Sequence, residues 1–309
     1  MTINSHITEF AGLPVVDFDP DRPVDAAPGT VAWRLRLDDG SEGGERFAEL
    51  TDRFLAAVEP GEVQALIVGD WGESYDQPAP VDLLVRLAPR LTGLRALFMG
   101  ELTMEESEIS WITQADPAPL LTAYPQLRVL RIRGATEGLS LTPTRHTALR
   151  ELAIEAGGLP AHVVRAVGEC DLPALEHLEL WLGTDEYGGD ATVEDLAAVL
   201  GGGRLPGLVS LGLRNAEIAD QVAGALAGAP VVARLRRLDL SLGILGDEGA
   251  AALLAGQPLT HLDRLDLRHH YIGPELAARL VAELPGVEVD LADVQKPDRD
   301  GDRYVAVSE

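Results

Sequence analysis

A six-residue pattern, Leu-x-x-Leu-x-Leu, recurs along this chain, and that recurrence constrains its fold more than any other feature. It stands at Leu127-x-x-Leu130-x-Ile132, Leu149-x-x-Leu152-x-Ile154, Leu175-x-x-Leu178-x-Leu180, Leu208-x-x-Leu211-x-Leu213, Leu235-x-x-Leu238-x-Leu240 and Leu262-x-x-Leu265-x-Leu267. Looser copies flank these at Val63-x-x-Leu66-x-Val68, Leu94-x-x-Leu97-x-Met99 and Leu284-x-x-Val287-x-Val289. The nine starts lie 31, 33, 22, 26, 33, 27, 27 and 22 residues apart. A period of this length marks an array of units, each of which leaves one face unburied and completes its core with its neighbours. The pattern itself is a short strand: side chains alternate, so the second and third apolar positions point inward, and the first anchors the turn that leads in.

Helical periodicity fills the gaps between these strands. Val222, Leu226 and Ala229 form one stripe, Ala250, Leu253 and Leu254 a second, and Leu276, Leu280 and Leu284 a third. Thr192-Val193-Glu194-Asp195 reads as a helix start, with a hydroxyl cap and acids in the first turn. Gly201-Gly202-Gly203 ends the helix before it and lacks the lysine and spacing of a phosphate-binding loop. Strand followed by helix, repeated, predicts a parallel inner sheet and an outer helical layer.

The ends differ from the middle, as the caps of an array should. Val31, Trp33, Leu35 and Leu37 alternate with Ala32, Arg34 and Arg36 as in a strand, and Phe47, Leu50, Phe54, Leu55 and Val58 follow at helical spacing. Residues 1–62 are therefore read as an N-terminal arm and βα cap, 63–292 as the solenoid of about nine units, and 293–309 as a C-terminal tail. The stretch from Asp17 to Pro28 is rich in Asp and Pro and predicts a loop or extended arm. The polar segment from Asp293 to Arg303 is expected to leave the solenoid.

The stretches Leu238-Asp239-Leu240-Ser241-Leu242-Gly243-Ile244-Leu245-Gly246-Asp247-Glu248-Gly249 and Leu265-Asp266-Leu267-Arg268-His269-His270-Tyr271-Ile272-Gly273 resemble leucine-rich repeats of the helical, ribonuclease-inhibitor-like type. The resemblance spans residues 63 to 292 and implies an α/β, right-handed solenoid, a horseshoe with a parallel concave sheet and outer helices. The whole chain, with its closing Tyr304-Val305-Ala306-Val307-Ser308-Glu309, is also similar to an uncharacterised bacterial leucine-rich-repeat family, which implies no activity. One departure matters. Three residues after the last strand leucine the family carries Asn or Cys, and this chain carries Ala216, Gly243 and His270. The backbone groups of those turns need other partners.

Charge narrows the choice of partner. Fifty acids against 25 basic residues give a net charge of −25, a field that repels phosphate backbones and anionic bilayers, so neither nucleic acid nor membrane is an expected partner. Lys296 is the single lysine, and the abundance of Ala, Gly, Asp, Val and Arg suggests a GC-rich, bacterial coding sequence. Cys170 is the single cysteine, which excludes an intrachain disulfide and a multi-cysteine zinc site and fits a reducing cytoplasm. Beside Asp171 and near a helix end, it reads as a buried structural thiol. The start from Met1 to Phe10 has neither a basic leader nor an apolar core, and no apolar stretch reaches the roughly 18 residues of a membrane span. A cytoplasmic location is expected.

Because strand side chains alternate, the concave face can be written down. Across the nine units its outward positions hold six arginines and seven acids, a balance of −1 against −25 for the chain. From it we select Phe98, Arg131, Arg133, Glu155, Glu179, Trp181, Arg214, Asp239, Arg264, Asp266, Arg268 and, at the following turn, His270 as a protein-binding surface. Aromatic and arginine side chains dominate the energy of such surfaces. Trp181 and Arg214 fall at one level on neighbouring strands, within stacking reach. The competing reading is that these arginines and acids satisfy one another across strands. Expected, then, is a non-enzymatic scaffold holding another protein, basic in character and steered by the acidic exterior, with no cofactor and no metal.

Other motifs fit ordinary structural roles. His269-His270-Tyr271 lacks the converging ligands of a metal site. Asp185-Glu186-Tyr187-Gly188-Gly189-Asp190 reads as a solvated acidic turn. Asp298-x-Asp300-x-Asp302 with Glu309 follows a calcium-loop spacing, but Arg303 stands where that loop requires Gly. The alternatives are an enzyme or accessory subunit with a small-molecule site near His269 and His270, and a self-assembling structural protein. No nucleophile motif supports the first.

Overall fold

The alternation of leucines with polar residues is realised as short strands joined by helices in a computed structural model, which describes residues 3–37, 44–135 and 138–309. The chain divides into two compact units, residues 3–154 and 155–308. That boundary falls inside the stretch read as a single solenoid. It does not follow the division at residues 62 and 292.

In the first unit β1 (Glu9–Phe10) and β2 (Leu13–Asp17) form an antiparallel hairpin. They are joined by Ala11 and Gly12 at φ 51° and 76°, and two positive φ values in a two-residue loop match the twist of the flanking strands. Next come β3 (Ala32–Leu35), α1 (Gly44–Ala57), β4 (Ala65–Val68), α2 (Val81–Leu87), β5 (Ala96–Met99), α3 (Ala118–Ala123), β6 (Val129–Arg133) and β7 (Glu151–Glu155). From β2 to β6 each strand pairs in parallel with the next, which sets Val16, Trp33, Leu66, Leu97 and Leu130 on one level. The predicted strand and helix of the cap are present, and Asp17 to Pro28 is the loop between β2 and β3.

The hairpin that precedes this loop was not foreseen, and it changes the unit. Half-buried strands in a one-sided sheet bury alternate residues, yet every residue of β3, β4 and β5 is buried. On the side away from the leucine row, Ala32, Ala65, Ile67, Ala96 and Phe98 form an apolar cluster with Phe10, and Ile7, Leu13, Val15 and Val129 cover it.

The second unit keeps a more regular period through α4 (Ala161–Glu169), β8 (His177–Gly183), α5 (Ala197–Gly201), β9 (Ser210–Ala216), α6 (Ala219–Leu226), β10 (Arg237–Asp239), α7 (Asp247–Ala255), β11 (Arg264–Asp266), α8 (Pro274–Glu283) and β12 (Glu288–Asp290). Parallel pairing from β8 to β12 places Leu178, Leu211, Leu238, Leu265 and Val289 on one buried or half-buried row. Gly202, in left-handed backbone at φ 64°, closes α5 as expected of the glycine run. Thr192 and Asp195 bond each other, but they close a turn, and the regular helix begins later, at Ala197.

The missing asparagine ladder has a specific replacement. One residue before the expected positions, Asn215, Leu242 and His269 take left-handed backbone, at φ 53°, 69° and 59°, and Asp293 does so at 61° in the turn after β12. Non-glycine residues rarely do so, and each costs on the order of 1–2 kcal/mol. What they obtain is direct bonding between turns: Asn215 N–H donates to Ser241 O, Leu242 N–H to Arg268 O and His269 N–H to Ala292 O. The turns approach so closely that a Cβ on Gly243 would lie 2.7 Å from Ala216 O.

His270 completes the row with its side chain. Its Nε2 lies 3.1 Å from Leu291 O and its Nδ1 accepts from Ile272 N–H at 3.0 Å, an arrangement only the neutral ring satisfies.

The C-terminal tail does not leave the solenoid for good. After the turn at Asp298 to Asp302 it runs back across the turns of β11, β10 and β9. Tyr304 N–H donates to Tyr271 Oη at 2.8 Å, Ala306 N–H to Leu242 O at 2.8 Å and Val307 N–H to Asn215 Oδ1 at 3.0 Å. Asn215 Nδ2 donates in return to Val307 O, and Val305 and Val307 are buried. Polar composition concealed this return because the strap is held by backbone bonds and only two apolar side chains.

Burial holds the His270 pKa below its ordinary value. The unfolded chain therefore binds a proton at higher pH than the folded one. The stability this group contributes is complete above the unfolded value of about 6.5 and is lost as pH falls from there toward the folded value. Chemical denaturation from pH 7.5 down to 5 (roughly the range in which histidine titrates) should show wild type losing more stability than His270→Asn. Parallel losses would refute the assignment.

Candidate interaction face

Along β8 to β12 the positions between the buried leucines carry charge. Arg214, on β9, is the hub. Its Nη1 donates to Glu179 Oε1 at 2.7 Å, its Nε donates to Ser241 Oγ at 3.0 Å and lies 3.4 Å from Asp239 Oδ2. The expected stacking is present: Trp181 pairs with Arg214 across the strands, and the guanidinium carbon stands 5.1 Å from the indole centroid. Trp181 Nε1 donates to the same Glu179 oxygen at 2.6 Å. Burial alone would lower the Arg214 pKa, but the charges of Glu179, Asp239 and Glu155 raise it, so the guanidinium stays charged.

A second cluster continues on β11 and β12. Arg264 pairs with Asp266 at 3.1 Å, with Asp290 at 2.7 Å and with Glu288. Arg268 reaches Asp266 at 2.9 Å and Asp290 at 3.5 Å. Burial would raise the Asp266 pKa, but hydrogen bonds from Arg268 and Arg264 bring it below the usual carboxylate range. Asp239 goes the other way. Burial raises its pKa more than Arg214 and Ser241 lower it, and the charge of Asp266 adds to the rise.

The corresponding face of the first unit is occupied. Phe98 is fully buried under Phe10, whose ring centroid is 5.8 Å away, so it is a core residue and cannot touch a partner. The guanidinium carbons of Arg131 and Arg133 stand 5.6 and 5.1 Å from the Phe98 ring centroid. Arg133 is buried and donates to Leu102 O at 2.6 Å, and Arg131 pairs with Glu151 at 3.4 Å.

A charged knot fixes the arm above this cluster. The buried Glu101 accepts from Ile7 N–H at 2.9 Å and Arg34 Nη1 at 3.1 Å, and lies 2.9 Å from His6 Nδ1. Arg34 also donates to Asp17 and to Ile7 O. Burial would depress Arg34, but its bond to Asp17 and the charge of Glu101 raise its pKa. Glu106 joins the knot through Arg36 at 3.3 Å and His6 Nε2 at 3.2 Å. Sequence reasoning missed these residues. The available signal was the apolar series Ile7, Phe10, Leu13 and Val15, which has no repeat partner and therefore had to be covered elsewhere.

The selected set thus separates. Phe98, Arg133, Glu155, Trp181, Asp266 and His270 are buried, while Arg131 in the first unit and Glu179, Arg214, Asp239, Arg264 and Arg268 along β8 to β12 stay partly open. The placement of Phe98 and His270 on an accessible surface is corrected: the arm covers the first, and the turn backbone uses both nitrogens of the second. His269 is likewise engaged, by Asp293 at 3.2 Å and Tyr304 O at 3.1 Å.

The remaining motifs also resolve. Asp298 accepts from Asp300 N–H, Asp302 N–H and Tyr304 Oη, each at 2.9 Å, which makes the calcium-like spacing a self-closed turn. Cys170 is buried. Among the described residues no group of three or more His, Cys, Asp or Glu could hold a metal, and no helix is long and apolar enough to cross a membrane.

Strands in chain order, flanking helices and an ion-paired strand face define an α/β protein built from repeats. No family model matches the chain, and no curated protein matches it. Among solved structures it is similar to a Bacteroides fragilis protein, a structural-genomics target, with 28% sequence identity and a TM-score of 0.77 over 89% of this chain and 78% of that one. An internalin from Listeria monocytogenes aligns over 87% of this chain and 76% of its own at 13% identity and a TM-score of 0.31, too loose a superposition to carry an argument.

Arg214→Met keeps the aliphatic stem near Trp181 and removes the charge. Glu179 and Asp239 then lose the guanidinium that lies between them, and stability at neutral pH should fall by about 2–4 kcal/mol. The loss should shrink near pH 4 (roughly where carboxylates protonate). An equal loss at both pH values in urea titrations would show that the charge is not what Arg214 contributes.

Proposed function

We propose that this protein is a non-enzymatic interaction scaffold of right-handed, ribonuclease-inhibitor-like leucine-rich repeats, and that the β8 to β12 face holds a segment of another protein. One observation carries the choice of face and of partner. Three guanidiniums, Arg214, Arg264 and Arg268, are shared among five carboxylates, Glu179, Asp239, Asp266, Glu288 and Asp290. Burial, with a smaller addition from the charge of Asp266, raises the cost of ionising Asp239, and an arriving lysine or arginine lowers it. The partner is thus expected to present basic side chains to this face, and to be drawn toward it by the net charge of −25.

The self-paired arginines set register more than affinity, because pairs already satisfied gain little from a new contact. The cationic contacts fall to Glu288, Asp239, Glu179 and Asp290, the acids of the cluster that stay open or partly open.

Co-purification with the chain as bait, in low and high salt, tests this. A partner on this face is retained by wild type at low salt, released as salt rises, and lost from a Glu288→Lys, Asp290→Lys double variant that unfolds at the wild-type midpoint. A partner held equally by wild type and double variant sinks the assignment of the face.

A further inference from the structure

We infer a second docking surface, on the first unit, where two inserted loops present Trp111 and Tyr75 to an arginine-rich segment of a partner protein. It is independent of the β8 to β12 face, and it starts from the repeat spacing. The first two intervals, 31 and 33 residues, are long, and the extra chain lies after β4 and β5, in 69–80 and 100–117. Insertions on a repeat scaffold collect on one edge, where function rather than core packing selects their residues.

These loops are ordered by each other. Thr113 N–H donates to Ser74 O at 2.8 Å, Thr113 Oγ1 donates to Tyr75 O at 2.7 Å and Ala79 N–H donates to Thr113 O at 3.1 Å. Trp71 is buried beneath the first loop with Nε1 on Gln77 O at 2.9 Å, and Ile109 and Ile112 are buried beneath the second. The short turn Ile109–Trp111 that these isoleucines anchor leaves its third residue outside. Trp111 is 54% exposed and Tyr75 59%, whereas the other tryptophans, Trp33, Trp71 and Trp181, are all buried. The zipper sets the Tyr75 backbone against Thr113, two residues beyond Trp111. Exposed aromatics on a fixed backbone lose little entropy when a partner covers them.

Charge identifies the occupant. The two loops hold eight acids and no basic residue. Glu101 and Glu106 are used by the arm, and Asp116 bonds Thr142. Glu73, Asp76, Glu105 and Glu108 form no ion pair among the described residues. Arginine suits such a surface better than lysine, because its planar guanidinium stacks on an indole face while its N–H groups reach adjacent carboxylates.

A fluorescein-labelled peptide of arginines alternating with glycine, titrated with the full chain and read by anisotropy, tests the proposal. Binding is expected at low salt. Trp111→Ala should weaken it roughly ten-fold or more, and Glu105→Gln with Glu108→Gln should weaken it several-fold. Neutralising Glu248 and Glu275, acids remote in sequence and outside these loops, should leave it within about two-fold. The same peptide with lysine for arginine should bind more weakly to wild type and should lose less on Trp111→Ala. Unchanged binding by Trp111→Ala, equal losses from the remote pair, or no binding at all would overturn the proposal. The Glu288→Lys, Asp290→Lys variant should still bind the peptide, so failure of the other face reads out separately.

Discussion

Parallel pairing between successive Leu-x-x-Leu-x-Leu strands is the interaction on which the rest of the structure depends, because no single unit encloses a core. Leu178, Leu211, Leu238 and Leu265 are buried only because each lies level with the next. The same pairing leaves two things open in every unit: the strand face away from the helices, and the turn that follows the strand. The first unit closes its open face with apolar side chains from the N-terminal arm. The second leaves that face as an ionic surface and ties its turns with left-handed residues and the C-terminal strap.

Leucine spacing was enough to place the repeat strands and the helical stripes, since both periodicities are local properties of the chain, except that the last copy slips by two residues and sets Val289 rather than Val287 level with Leu265. The terminal segments were not legible. An arm such as Ile7 to Val15 has no repeat to be compared with, and the bonds that dock Tyr304 to Val307 come mostly from the backbone, which composition does not record. For the same reason the turn row was read one residue late. A ladder carried by side chains shows in sequence, whereas Asn215, Leu242 and His269 donate through main-chain N–H groups.

The candidate face was legible in part, and the division has a physical cause. Alternation predicts which strand side a residue occupies but not what covers it. Phe98 and Arg214 are equivalent by pattern, yet one lies under Phe10 and the other lines a partly open, charged surface. The arginines and acids of that surface pair with one another across the strands, which is the competing reading of the same pattern. The inserted loops reverse the usual relation, since they break the repeat and so escape a search for repeats, and they carry Trp111 and Tyr75.

The central claim, that the arm is part of the first unit's core rather than an appendage, is tested most directly by native-state hydrogen exchange resolved to segments. If Phe10 and its neighbours close the apolar cluster, the amides of β2 exchange as slowly as those of β4 and β5, and Glu101→Gln speeds the arm before it speeds those strands. Exchange of β2 at the rate of an unstructured chain in wild type would contradict the account.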